Sequence, residues 1–444
     1  MEIKANHGEG SHLTIDIKDC NKKILENEKK IKQFLQEIAE SIEMHIISEI
    51  KVLKHTAENP LDSGITGFVI ISESHISIHT YPERNFASID IFSCKEFDYN
   101  KATEFVKEFF QSKTIQRNLL NRGIKENFDV ESHCKTIKGF DLDLNMTALQ
   151  LLDNFETIGF QASHLNQAKT ILKKMRENNA TIFMSFTSNM VSSGLRELFA
   201  QIVKEKLVDV IITSVGSVEE DLMKSKNKFL LGDFNSNDID LHKKGINRIG
   251  NIFVPDKNYE DLEDQLTPIF QKIYETQKTT GAIITPSKLI NEVAKTIKDK
   301  NSFLYWANKN EIPVYCPAIT DGALGLQLFF FNQKNKLMID TAGDMKELSQ
   351  HVLNAEKTAG IILGGGFAKH HLIGINILRE GLDYAIYMTT ATEGDGSLSG
   401  ARPKEAKSWS KIKEDANNVC VEGDVTITFP ILALAMKKEL SGRK

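Results

Sequence analysis

Residues 181–217 read TIFMSFTSNMVSSGLRELFAQIVKEKLVDVIITSVGS. Residues 181–187 and 208–215 are nearly continuous apolar runs, and residues 195–206 between them repeat apolar side chains at helical spacing. Such runs suit parallel strands that are buried on both faces and joined by a helix. The alternation continues along the chain. Strands are expected at 312–318, 359–363 and 384–390, and helices at 165–176, 259–276, 287–298 and 345–356.

This order predicts an α/β domain with a doubly wound, Rossmann-like sheet, whose ligands bind at the carboxyl ends of the strands. Small polar clusters fall at those ends. Thr187-Ser188-Asn189 and Ser192-Ser193-Gly194 follow one strand, and Thr213-Ser214-Val215-Gly216-Ser217 follows the next, with Glu219-Glu220-Asp221 close behind. Thr320-Asp321-Gly322 and Gly364-Gly365-Gly366 follow two more. Hydroxyls and free backbone N–H groups at helix starts suit a dinucleotide pyrophosphate. No GxGxxG is present, so each cluster alone reads equally as a tight turn, and their recurrence on one predicted edge favours a site.

Residues 393–413 read EGDGSLSGARPKEAKSWSKIK and place Lys411 two residues after Trp409. A lysine amine is nucleophilic only when neutral, and water holds it charged near a pKa of about 10.4. An apolar aromatic neighbourhood penalises the ammonium and prepares such a lysine for imine formation. Asp395 and Glu405 lie in the same stretch and suit a cationic amine. Without further context, a surface helix with an inward Trp fits the spacing as well.

At 444 residues two domains are expected, because one core seldom grows beyond about 250–300 residues. The net charge of −5 gives no electrostatic case for nucleic acid or an anionic membrane as partner. Residues 1–13 lack a signal-peptide core, and no run approaches the roughly 20 apolar residues of a membrane span. The five cysteines (Cys20, Cys94, Cys134, Cys316, Cys420) are scattered without a CxxC. Neither a disulfide framework nor a metal site is expected, and a cytoplasmic protein fits.

Residues 1–112 read as an α+β domain, an antiparallel sheet covered on one face. Strands are expected at 13–17, 46–54, 67–72, 75–80 and 86–92, and helices at 22–44 and 101–110. Residues 113–138 lose periodicity and read as a linker, with 139–444 as the second domain. In the strand at 75–80, Ile76 and Ile78 point one way and His75, Ser77 and His79 the other. Spacing alone makes this an edge strand with a polar outer face.

ESHISIHTYPE at 73–83, with GITG before it, FASIDIFSC after it and GSHLTIDIKDC near the start, resembles the prokaryotic class of S-adenosylmethionine decarboxylase. The match spans roughly residues 8–112. It implies that Ser74 attacks the carbonyl of Glu73, that the peptide becomes an ester, and that elimination and hydrolysis leave a pyruvoyl group at position 74. The pyruvoyl carbonyl would form an imine with the S-adenosylmethionine amine and accept electrons as CO2 leaves. The resemblance gives His79 a part in processing and makes Cys94 the proton donor to the product. Thr66 takes the place of a hydroxyl residue used in processing. Ser74 and His79 are five residues apart. That is about 16 Å on a straight strand, so a partner chain is expected to supply one of them.

The second domain resembles deoxyhypusine synthase through GFQASHLNQA, TSNMVSSGLRE, VDVIITSVGSVEEDL, NRIGNIFVP, TPSKLI, YWANKNEIPVYCPAITDGALG, IILGGGFAKHH and DGSLSGARPKEAKSWSKI, in that order. That family is a tetramer with active sites between subunits. It binds NAD and dehydrogenates spermidine. It passes an aminobutyl group through a lysine imine, matched here by Lys411, to a lysine of a translation factor. By the match, NAD contacts Ser188, Asn189, Ser192, Ser193, Thr213, Ser214, Val215, Glu220 and Asp321. Glu219, Asp395, Glu405 and Trp409 face the polyamine beside Lys411, and His370 accepts a proton, which a neutral imidazole does well near pH 7.

Two positions depart from the pattern. Leu326 and Leu398 stand where the eukaryotic enzymes carry acids. The whole chain therefore reads as a homo-oligomeric fusion, dimer or tetramer, of two polyamine enzymes. The product expected of the second is a free polyamine of the homospermidine or spermidine type, with a modified protein lysine as the contrasting outcome. A regulatory or assembly role for the first domain, or a polyamine-sensing role for the second, are the readings from other classes.

Overall fold

A computed structural model describes residues 10–122 and 134–442. The chain divides into two units, Met1–Cys134 and Lys135–Lys444.

In the first unit, β1 (Gly10–Lys18), β2 (Lys51–His55), β3 (Gly64–Ile71), β4 (Ser74–Tyr81), β5 (Phe86–Ser93) and β6 (Thr114–Arg122) form an antiparallel sheet in the order β2-β3-β4-β5-β1-β6. The period-two pattern drives it: Leu13, Ile15, Ile17, Ile76, Ile78, Ile89 and Ile91 are buried on one face. Helices Glu28–Ser41 and Tyr99–Phe110 supply the facing apolar layer, which includes Phe34, Leu35, Ile38, Val106 and Phe110. Asn27 and Asp98 cap these helices, each accepting from two backbone N–H groups. The opposite face carries His75, Ser77 and His79, with Phe68 and Ile70 exposed on the neighbouring strand.

Several expectations fail here: β4 lies inside the sheet between β3 and β5 and not at its edge, and the helix expected at 22–44 is broken into Lys22–Leu25 and Glu28–Ser41. Residues 114–122, assigned to the linker, are β6, paired with β1 from Lys18↔Thr114 to Gly10↔Arg122. This is an edge strand with little side-chain burial, so backbone pairing holds it and no apolar alternation announces it. The strand expected at 46–54 is regular only over Lys51–His55, with Ile46 making a single bridge to Ile71.

In the second unit, β7 (Thr181–Phe186), β8 (Val210–Thr213), β12 (Val314–Tyr315), β13 (Thr358–Leu363), β14 (Leu382–Thr389) and β15 (Ile412–Glu422) form a parallel sheet in the order β12-β8-β7-β13-β14-β15. A small antiparallel sheet holds β9 (Leu230–Leu231), β10 (Ile246–Ile249) and β11 (Ile252–Pro255). β8, β13 and β14 are buried along their whole length, as strands covered on both faces must be. The chain runs outward from β7 through β8 to β12, then returns to the other side of β7 and continues through β13 to β15. The direction reverses between β7 and β13, which is where ligands of such sheets bind. There Gly364 has φ +82°, and a Cβ on it would lie 2.9 Å from the Thr187 hydroxyl.

β15 was not expected. Its first half is polar, it joins β14 across a bulge, and only Ile412, Val419 and Val421 are buried. No helix among the described residues is long and apolar enough to cross a membrane.

Phe34 is fully buried among the rings of Phe105, Phe109 and Phe110. Phe34→Ala is expected to cost about 3–5 kcal/mol. Thermal melting should show the first unit's transition moved down, with the second unit's transition in place.

Candidate functional sites

In the first unit the turn Ser72–Glu73 leads into β4, and Ser74 takes φ 152°, a conformation that L side chains rarely adopt. Residues held so store on the order of 1–3 kcal/mol and are found at reactive positions. The Glu73 carbonyl oxygen accepts a hydrogen bond from the Cys94 N–H at 3.0 Å. The Glu73 carboxylate is met by the His45 N–H at 3.3 Å. Burial acts to raise the Glu73 carboxyl, but hydrogen bonds from Ser72 and His45 outweigh it and hold it below its ordinary value.

Ser74 and Cys94 thus come together, because Ser74 pairs with Ser93 at the end of β5. His79 does not join them. It lies five residues along β4, exposed, with Nδ1 3.0 Å from the Thr66 hydroxyl. The imidazole beside Ser74 is that of His75, whose Nδ1 is 3.2 Å from Ser74 Oγ. Sequence reasoning placed His75 only on the outer face; its adjacency to Ser74 was a signal that could have been used.

In the second unit the carboxyl edge of the sheet builds a cleft. Thr187 to Gly194 start one helical segment, and Ser214 stands at the N-cap position of the next, Val215–Lys224, without a side-chain cap bond. The backbones approach closely: a Cβ on Gly216 would lie 2.7 Å from the Ser188 Cβ. The Ser214 hydroxyl is buried and has no hydrogen-bond partner among the described residues. Ser192 donates to Glu220 at 2.6 Å, and Glu219 accepts from the Leu324 N–H at 2.8 Å. Burial pushes the Glu219 carboxyl up, against hydrogen bonds from Leu324 and Ala323. It pushes Glu220 up to about 8, opposed by Ser192. Two adjacent buried acids of this kind are poised to exchange protons for a cation. Asp321 lies exposed close by, at the turn that leads to Ala323.

Thr213, expected to contact NAD, stands at the end of β8. It is fully buried, and its hydroxyl is spent on the Phe186 carbonyl and Ser217, tying β8 to β7. Ser188, Asn189 and Ser193 remain open to a ligand at this edge, whereas Ser192 is buried and Val215 is packed into the core.

The second half of the expected site is split. Residues 392–401 stay at the carboxyl edge: Gly400 packs against the Thr392 carbonyl, and Ser399 against Gly365. Asp395 and the exposed His370 belong to that edge. Lys411 belongs to the other. Its carbonyl accepts from the Leu382 N–H at the start of β14. β14 is 8 residues long, so roughly 23 Å of strand lies between its start and the cleft edge. Lys411 Nζ lies 5.2 Å from the Trp409 ring centroid, and Trp409 is 64% exposed. Glu405 is exposed on the short helix between the two edges.

Sequence reasoning missed Lys369. It is buried, lies over the Tyr387 ring at 4.5 Å, and donates to the carbonyls of Leu398 and Ala401, each at 2.7 Å. Burial brings its ammonium down to about 8. One buried cation thus fastens the acid-bearing loop to the helix that carries His370. Leu398 itself packs against the apolar cluster beneath this loop, whereas Leu326 is half exposed on a helix with exposed Phe329 and Phe330.

Comparison with known proteins accounts for both units. Residues 11–123 match the S-adenosylmethionine decarboxylase family and residues 150–436 match deoxyhypusine synthase, so the chain is a fusion of two enzyme families of polyamine metabolism. By the larger part of its length it belongs to the deoxyhypusine synthase family.

A probable deoxyhypusine synthase of Thermococcus gammatolerans is 45% identical over 323 residues, covering 70% of this chain and 96% of that protein. The deoxyhypusine synthase of Senecio vernalis is 40% identical over 366 residues, covering 76% and 99%. A crystal structure from Entamoeba histolytica, described as a candidate deoxyhypusine synthase, superposes with a TM-score of 0.51 at 28% identity, covering 69% of this chain and 99% of that one.

Glu220 makes a pH prediction. Its folded-state value is raised from 4.5 to about 8, so between those limits the folded unit binds more protons than the unfolded one. The second unit's melting temperature should therefore fall as pH rises through that window. In Glu220→Gln, which keeps a partner for Ser192, the fall should be shallower; an unchanged slope would refute the assignment.

Proposed function

We propose that this chain joins two reactions of polyamine synthesis, a pyruvoyl-dependent decarboxylation of S-adenosylmethionine and an NAD-dependent aminoalkyl transfer through an imine on Lys411. The observations that support the reading are the Cys94 N–H on the Glu73 carbonyl beside Ser74, and the acid-lined cleft at the sheet edge.

In the first unit Ser74 is the nucleophile that opens the Glu73–Ser74 bond, and the pyruvoyl group left at position 74 supplies the electron sink for decarboxylation. Cys94, the residue after β5, is assigned the proton transfer to the product, and its N–H bond to the Glu73 carbonyl supports its nearness to that position. His79 is assigned to a partner subunit's site, because on its own strand it stands with Thr66 and away from Ser74. In the second unit the unpartnered Ser214 hydroxyl, the open Ser188, Asn189 and Ser193, and Asp321 suit the phosphates and ribose of NAD. NAD supplies a hydride acceptor when bound there. The Rossmann-like reading is supported by the reversal of strand order at that cleft.

Glu219 and Asp395 hold ammonium groups of the polyamine, and His370 takes the proton released as the donor is oxidised. Lys411, backed by Trp409 and near Glu405, receives the aminoalkyl group. Because Lys411 and the cleft lie at opposite edges of one sheet, the reading requires the site to form between subunits of a homo-oligomer.

The acceptor is proposed to be a small diamine. Each charge-assisted contact to an ammonium contributes about 1.5–3 kcal/mol, and neither Leu326 nor Leu398 makes one. Leu398 turns into the core, so its position offers no carboxylate and places no apolar group against the ligand either.

Three measurements test the reading. Denaturing electrophoresis of the purified chain should show fragments 1–73 and 74–444, and Ser74→Ala a single full-length band. Incubation with NAD and labelled spermidine should label putrescine faster than a lysine of the translation factor, and Lys411→Ala should abolish transfer. The reverse preference overturns the choice of acceptor. Co-expressed Lys411→Ala and Glu219→Gln chains, each inactive alone, should recover about a quarter of the activity if sites are shared; no recovery overturns the shared site.

A further inference from the structure

The outer face of the first unit carries a charged and aromatic cluster around Ser74. His75 Nδ1 lies 3.2 Å from Ser74 Oγ. The ring of His75 stacks on Phe68 of β3, 5.4 Å between centroids, and meets Phe92 of β5 edge-on at 5.9 Å. These contacts fix the ring plane. The titratable and charged groups facing it are His12 on β1, Asp90 on β5 and Arg122 on β6. His12 Nε2 is 3.1 Å from Asp90 Oδ1, and Arg122 lies over the Phe92 ring at 4.4 Å. Across the same bond, the Cys94 N–H points at the Glu73 carbonyl oxygen from 3.0 Å. Nucleophile, imidazole and oxyanion donor therefore stand on one chain, around one peptide bond whose Ser74 has φ 152°.

We propose that His75 is the general base for the first step of self-cleavage, within a single chain. The inference rests on the pyruvoyl reading of the first unit and adds a residue that the reading does not use. With its proton on Nε2, neutral His75 accepts the Ser74 hydroxyl proton at Nδ1. Ser74 Oγ forms a bond to the Glu73 carbonyl carbon, and the negative charge on the former carbonyl oxygen is met by the Cys94 N–H. The intermediate collapses with breakage of the Glu73 C–Ser74 N bond, and the proton on His75 passes to the departing nitrogen. An ester and a free amine result, with atoms and charge balanced and no outside reagent. Burial, His12 and Arg122 lower the His75 value and Asp90 raises it, so the ring is neutral near pH 7.

Cleavage of newly made full-length chain in cell-free translation tests this. His75→Ala should slow conversion at least ~100-fold, the lower range for removal of a general base. Added imidazole should restore part of the rate, which requires a folded site. Hydroxylamine should not cut the variant, because no ester forms. In Arg122→Gln, on the exposed end of β6, loss of the positive charge should move the acid limb of the rate profile to higher pH, which a merely structural His75 would not do.

Cleavage of His75→Ala at the wild-type rate overturns the proposal. So does accumulation of a hydroxylamine-labile ester, which would place His75 at a later step. So does an uncut His75→Ala that imidazole does not rescue, together with an unmoved limb in Arg122→Gln. A wild-type chain that never cleaves removes the pyruvoyl reading itself, a result distinct from all of these.

Discussion

The parallel sheet of the second unit is covered on both faces, and this constrains everything else in that unit. Strands such as β13 and β14 are buried from end to end, and the one charge they carry, Asp383, sits near the amino end of β14 among Lys357, Arg379 and Lys413. Chemistry is pushed to the two edges. The carboxyl edge gains hydroxyls, free N–H groups and the paired acids Glu219 and Glu220. The amino edge gains Lys411, anchored by its own carbonyl to the start of β14. A single subunit cannot bring these together without breaking the sheet, so the proposed transfer through Lys411 needs a second subunit.

Burial then sets the protonation of what remains near it. Glu220 and Lys369 carry opposite charge types, yet both are moved toward about 8 by the same loss of water. They act differently because their partners differ. Glu220 has one hydroxyl donor and keeps its proton. Lys369 has two close carbonyls and an aromatic face, which reward the charged form and fasten the loop from Leu398 to Ala401.

The sequence was most legible where burial wrote a period into it. The apolar runs of β7, β8, β13 and β14 and the alternation in β4 are of that kind. It was least legible at sheet edges. β6 is held by backbone pairing, which any residue can make, and residues 413–416 of β15 bulge out of register with β14, so TIQRNLLNR passed for linker and IKEDANN drew no strand assignment. Among site residues, the cleft hydroxyls were legible as clusters at strand ends, but Thr213 was not separable from them, because its use inside the core depends on the neighbouring Phe186 carbonyl. Lys369 passed unnoticed because one lysine beside His370 gives no sign of burial. The separation of Lys411 from Asp395 could not be read at all, since the fifteen residues between them, with one short helix, conceal which edge each one reaches.

The strand order of the first unit has a mechanical consequence. The bond between Glu73 and Ser74 divides the sheet's strands by sequence, with β1, β2 and β3 before it and β4, β5 and β6 after it. In space they are interleaved, and β1 lies between β5 and β6. Severing the backbone there leaves the shorter piece clasped on both sides by the longer one. Two polypeptides then share one hydrophobic core and one hydrogen-bond ladder. Neither can diffuse away on dilution, because leaving would unzip three strand pairings, β1 with β5, β1 with β6 and β3 with β4, and strip the core of half its wall.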